Sequence, residues 1–94
     1  MRKKIEMCML LEEAKTACEE SLKDNSYILY YDRYIKLLNK INSIKEAVMD
    51  DKLYTEISDL SIIKMIIEND PKELIDSVIK VNLYYRDNFS TVFS

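Results

Sequence analysis

The 94-residue chain contains no glycine at all and a single proline, Pro71. That absence limits the backbone more than any other feature. Glycine is the default residue for left-handed backbone and for tight hairpin turns of the primed types. It is also the residue that lets successive backbone N–H groups cradle a phosphate. A glycine-free chain is therefore directed toward helices joined by polar turns, and away from β-hairpins and phosphate loops. Histidine is absent as well, which removes imidazole acid–base chemistry, Ser-His and Cys-His nucleophile pairs, and His-ligated metals.

Periodicity agrees with a helical fold. Four segments place apolar residues at a 3.6-residue repeat, and the expected architecture is a single all-α domain over 1–94, a small antiparallel bundle of about four helices. The expected helices cover 3–22, 27–48, 55–68 and 71–87, followed by a C-terminal tail over 89–94. In the first, Met7, Leu11, Ala14 and Cys18 form a stripe, while Ile5 and Met9 fall off it and await a second neighbour or stay exposed. In the second, Tyr30, Tyr34, Leu37, Ile41, Ile44 and Val48 form a heptad seam. Tyr27, Tyr31, Ile35 and Leu38 widen that seam to about 200° of the helix circumference. The third contains Leu60 to Ile67, apolar on nearly every side, and is expected to lie centrally. The fourth is announced by Asp70 as N-cap, Pro71 at the first helical position and Glu73 placed to close a capping box.

The charge balance is ordinary: 14 basic and 17 acidic residues give a net charge of −3. No concentrated basic surface is evident, so nucleic-acid binding is not expected. Arg33, Lys36 and Lys40 form a short basic strip that reads as a solvated face. A helix-turn-helix outline can be drawn over Asp59 to Asn82, but its second helix would offer Glu73 and Asp76 beside Lys72, Ser77 and Lys80, and acids there oppose phosphate. Cys8 and Cys18 are the only cysteines. On one helix they lie about 15 Å apart, too far for a disulfide. Two free thiols suit a reducing compartment. The start Met1-Arg2-Lys3-Lys4 is like the charged head of a signal peptide, but Glu6 and Glu12-Glu13 break the apolar stretch that would have to follow. No stretch reaches the length of a membrane span. The expected location is cytoplasmic. Abundant Ile, Lys, Asn and Tyr point to an A/T-rich genome such as that of a low-GC bacterium, a phage or a plasmid.

Two chemistry-bearing patterns remain. Glu56-x-x-Asp59 and Glu73-x-x-Asp76 each put two carboxylates on one helical face. They resemble the second half of the metal motif of all-α nucleotide pyrophosphohydrolases of the MazG and dUTPase type, and the resemblance implies a Mg²⁺-dependent nucleotide-processing enzyme. The Glu-x-x-Glu half of that motif is missing, and the acids also read as caps and solvated side chains. The second pattern is the tyrosine cluster on the second helix, with both phenylalanines in the tail. These rings either pack the bundle with hydroxyls at its rim or face a partner, since tyrosine is enriched at interfaces. Small size, helix number and a C-terminal tail also resemble bacteriocin-immunity proteins, which implies a four-helix bundle that binds a protein.

The functional expectation is a non-catalytic protein-binding module, a small regulatory or inhibitory protein whose partner is another protein, a second copy in a homodimer, or both. The expected contact residues are Tyr27, Tyr31, Tyr34, Ile35, Phe89 and Phe93. No catalytic residues, cofactor or metal ligands are expected.

Overall fold

In the computed structural model, which describes residues 2–23 and 31–92, the stripe at Met7, Leu11, Ala14 and Cys18 is wholly buried on helix α1 (Arg2–Lys23). The seam at Tyr34, Leu37, Ile41, Ile44 and Val48 is likewise buried on α2 (Tyr31–Met49). On α3 (Lys72–Asn88), Leu74, Val78, Val81 and Tyr85 complete the core. The described residues are all-helical in class, with three α-helices, one 3₁₀ turn and no strand.

The helices run antiparallel to α1 on both sides. Lys4 meets Asp51, Cys8 meets Met49 and Glu12 meets Lys45, so the start of α1 lies beside the end of α2. Tyr84 reaches Glu6, so the end of α3 lies there too. It follows that α2 and α3 run parallel to each other. No Cα of one comes within 8 Å of a Cα of the other. Helix α1, not the segment around Leu60 to Ile67, is the central element.

The expected third helix over 55–68 is not formed. In its place residues 50–71 return along the molecule as irregular chain, with a single 3₁₀ turn at Ser61–Lys64. The expected count of four helices is thereby corrected to three among the described residues, and the helix-turn-helix outline loses its first helix. Ile57, Ile62, Ile63, Ile66 and Ile67 are β-branched and lose side-chain freedom in a helix. Groups on α3 and just beyond its end then supply hydrogen bonds that a helical ladder would have made. Asn82 Oδ1 accepts from the Leu60 N–H at 2.7 Å, and Asn82 Nδ2 donates to Asp59 at 2.8 Å. Tyr85 shares its hydroxyl proton between the carbonyls of Tyr54 and Ile57, at 2.7 and 2.9 Å. Ser90 Oγ donates to the Ile57 carbonyl at 2.7 Å, and the Thr91 N–H donates to the Thr55 carbonyl at 2.6 Å. The start of the expected tail is thus tied to the connector.

At the other end, Asp70 departs from its expected capping role. Pro71, not Asp70, occupies the N-cap position of α3, and it makes no side-chain cap bond. The Asp70 side chain is fully buried. Its carboxylate accepts both Nη groups of Arg33, one of them at 3.0 Å, the Tyr34 hydroxyl at 2.9 Å and the Ile67 N–H at 2.8 Å. Arg33 Nη1 also donates to the Met65 carbonyl at 2.7 Å, and its guanidinium lies 4.8 Å from the centre of the Tyr34 ring. A paired guanidinium offers a carboxylate stronger, charge-assisted bonds than an orphan helix N–H does. Arg33 therefore leaves the expected basic strip and turns inward. Burial pushes the Asp70 carboxyl upward, but Arg33, Ile67 N–H and Tyr34 outweigh it and hold the pKa below the usual carboxylate value.

The end of α2 shows how the chain manages without glycine. Asp51 takes the left-handed conformation, with φ 57°. The Lys52 N–H donates to the Ala47 carbonyl at 2.8 Å and the Asp51 N–H to the Val48 carbonyl at 3.3 Å. That is a Schellman closure with aspartate where glycine is usual.

Two outcomes are expected. Asp51→Gly relieves the left-handed strain and raises unfolding free energy by about 0.5–1 kcal/mol in a denaturant titration. Asp70→Asn leaves Arg33 without its counter-charge and costs about 3 kcal/mol at pH 7. Because the native Asp70 pKa lies below its unfolded value, this share of stability is complete above the ordinary carboxylate range. It is lost as pH falls through the native value. Parallel denaturation of both proteins from pH 7 to pH 2.5 should therefore show the gap between them closing only at the acid end.

Candidate functional site

Once α1 is central, one of its faces is left without cover among the described residues. At about 100° per residue, Ile5 and Met9 both lie some 160° round the helix from the buried Met7 direction. They are 59% and 62% exposed. Met49, at the end of α2, is 56% exposed and stands beside them, with the Cys8 thiol 3.6 Å from its sulfur. These four side chains line a groove of about 650 Å³ between α1 and α2.

The rim of the groove is charged, with Glu13 exposed and both lysines paired. Lys4 reaches Asp51 at 3.2 Å, and Lys45 contacts Glu12. The Lys45 hydrogen bond holds the Glu12 carboxyl below its usual value, and the same contact raises Lys45. Both pairs cross from α1 to α2. As exposed pairs they contribute little to stability. They leave the groove an apolar floor with its two lysines paired at the rim. Methionine and cysteine suit such a floor, since both are polarizable and methionine adapts its shape to what it meets.

Two further clefts differ in character. Between α1 and α3, Glu13, Glu20, Glu73 and Asp76 line a cleft of about 520 Å³ with Thr16 and Lys80. Glu73 and Asp76 therefore do share a face, as their spacing requires. Glu56 and Asp59 lie outside any helix, where Asn82 and Arg86 contact Asp59. Among the described residues no group of three or more His, Cys, Asp or Glu is arranged to hold a metal ion. A shallower cleft of about 280 Å³ lies between α2 and the connector, with Lys40, Lys52 and the exposed Tyr54 at its edge.

The expected contact residues that are described, Tyr31, Tyr34, Ile35 and Phe89, do not share one surface. Tyr27 and Phe93 lie outside the described residues. Tyr34 is corrected to a core residue: it is fully buried and its hydroxyl is committed to Asp70. Tyr31 is 52% exposed, and Ile35 is half-buried one turn further along. Both sit in the first half of α2, about 27 and 21 Å along the helix from Met49. Phe89 lies at the other end of the molecule, packed on the core with its ring 6.3 Å from that of Tyr84. The Tyr84 hydroxyl donates to Glu6 at 2.6 Å, while burial and that contact push its own pKa up to about 12. Cys18 is a buried core residue whose thiol is raised by burial to about 11, and Cys8 is half-exposed in the groove.

Ile5 and Met9 were legible as positions off the buried stripe. Met49 was not, because it stands in the sequence as the first residue of a break. Compared with protein-family models, with curated proteins and with solved structures, the chain matches none.

The different positions of the two tyrosines have a measurable consequence. Tyr34→Phe removes a bond to a buried carboxylate and should cost about 1–3 kcal/mol in unfolding free energy. Tyr31→Ala, at an exposed site, should stay within about 0.5 kcal/mol of the parent.

Proposed function

We propose that this chain is a non-catalytic protein-binding module, a small regulatory or inhibitory protein, and that it seats an amphipathic helix in the groove between α1 and α2. The observation that carries the reading is the contiguous exposure of Ile5, Met9 and Met49, each more than half accessible. Exposed apolar side chains gathered in one concavity mark an interaction site more often than chance. Two antiparallel helices with an apolar cleft between them form the usual receptor for a third helix presenting residues at i, i+3 and i+4. With Lys4 and Lys45 paired, the groove favours an occupant that is apolar where it touches and polar elsewhere.

The free thiols of Cys8 and Cys18 fit a reducing compartment. Among the described residues, no helix is long and apolar enough to cross a membrane. The aromatic face at the start of α2 is a poorer receptor than the groove, because Tyr34 has been drawn into the core.

A library of amphipathic helical peptides, selected for binding to the intact chain, tests the reading. Selected peptides are expected to lose at least tenfold in affinity, about 1.4 kcal/mol, against Met9→Asp and Met49→Asp. They should bind Tyr31→Ala and Tyr54→Ser unchanged. Binders that ignore Met9 and Met49 would place the receptor surface elsewhere.

A further inference from the structure

The face of α1 that carries Ile5 and Met9 has an order along the chain. Arg2 comes first, then the two exposed apolar residues, then Glu12 and Glu13, whereas Lys3 and Lys4 project from other sides of the helix. Basic, apolar and acidic groups thus follow one another within about 18 Å of helix. Read backwards, the order is acidic, apolar, basic. A helix of this kind is complementary to its own reverse.

The geometry points to the α1 helix of a second copy of this chain as the occupant of this face, packed antiparallel about a two-fold axis. This rests on the reading of the α1/α2 groove as a binding surface, and it names the partner. An isologous contact is the commonest way for a chain to bury such a face, since one patch serves both subunits. With the axis level with Met7, Ile5 packs against Met9 of the second copy, and Met9 against its Ile5. Arg2 and Glu13 lie on the same edge of the face, both displaced toward α3. The two-fold keeps each on its own edge, so Arg2 comes within one residue's rise, about 1.5 Å, of the level of Glu13 of the second copy. The Arg2 side chain is 92% exposed and Glu13 is exposed. Arg2 meets only Glu6 on its own helix, at 3.3 Å, a contact weak enough to be exchanged. The helix dipoles also oppose each other in this arrangement, which favours it.

The net charge of −3 per chain repels two copies at long range. The local pairing of Arg2 with Glu13 acts at contact distance, whereas the repulsion between dispersed charges is screened by salt. Met49 lies at the edge of the same face and extends the apolar contact beyond α1.

Light scattering after size exclusion, over a concentration series of the intact chain, reads the outcome. The expected mass rises toward twice 11.2 kDa with concentration. Met9→Asp should be monomeric throughout with helicity unchanged by circular dichroism. Arg2→Glu should weaken the dimer about tenfold by placing like charges opposite each other, and Arg2→Glu with Glu13→Arg should restore it. Tyr54→Ser, exposed elsewhere, should leave the dimer intact. A parent chain that stays monomeric to about 1 mM overturns the proposal. So does a dimer indifferent to Met9→Asp, or a charge exchange that fails to restore association. If the parent is monomeric while selected helical peptides still require Met9 and Met49, the groove remains a receptor and only the second copy is ruled out. If those peptides bind elsewhere, the groove reading itself fails.

Discussion

The fold depends on one buried carboxylate. Asp70 sits where an irregular connector meets the third helix, and it gathers Arg33, the Tyr34 hydroxyl and the Ile67 N–H around itself. Through Arg33 the same cluster also reaches the Met65 carbonyl. A chain that does not coil leaves its backbone polar groups unpaired, and buried N–H and C=O groups without partners are costly. Here side chains supply part of what a helical ladder would supply. Asp70 and Arg33 serve one end of the connector, and Asn82, Tyr85, Ser90 and Thr91 serve the other. The ion pair is buried, so its desolvation offsets much of its Coulomb gain. Its value is positional: it holds the connector in the slot that a fourth helix would have filled.

That substitution decides where surface is left for function. With α2 and α3 parallel and apart, α1 contacts both and becomes the central helix. A narrow stripe from Met7 to Cys18 is enough to serve both neighbours, because the connector fills the remaining gap. The opposite face of α1 then has nothing to pack on among the described residues. Its first half carries Ile5 and Met9, and the antiparallel end of α2 brings Met49 and Cys8 alongside. The groove follows from helix order and direction, and no local motif encodes it.

The sites that looked most informative in sequence were largely absorbed by the fold. Tyr34 is held in the core by Asp70, Arg33 has left the solvated strip, and Phe89 packs beside Tyr84. The tyrosine cluster gave no warning of this, since an aromatic residue at helical spacing serves a core and an interface equally well. The Asp70-Pro71 pair was a strong local cap signal and still failed, because a bidentate guanidinium offers a carboxylate more than one helix N–H can. Leu60 to Ile67 read as a central helix from its apolarity, whereas its β-branched residues and the polar partners presented by α2 and α3 favoured extended and 3₁₀ backbone.

The sequence by itself determined the class of fold, the positions of α1, α2 and α3 to within a residue or two where they are described, and the buried seams of α1 and α2. These depend on short-range periodicity and on the lack of glycine, which are properties of neighbouring residues. It also marked Ile5 and Met9 as apolar positions without an assigned neighbour. Only the tertiary structure decided that residues 55–68 do not form an α-helix, that Asp70 pairs with a residue 37 positions away, and that Met49 joins Ile5 and Met9. Each of those outcomes turns on which distant groups compete for the same hydrogen bond or the same patch of apolar surface. That competition exists only once the helices have taken their places.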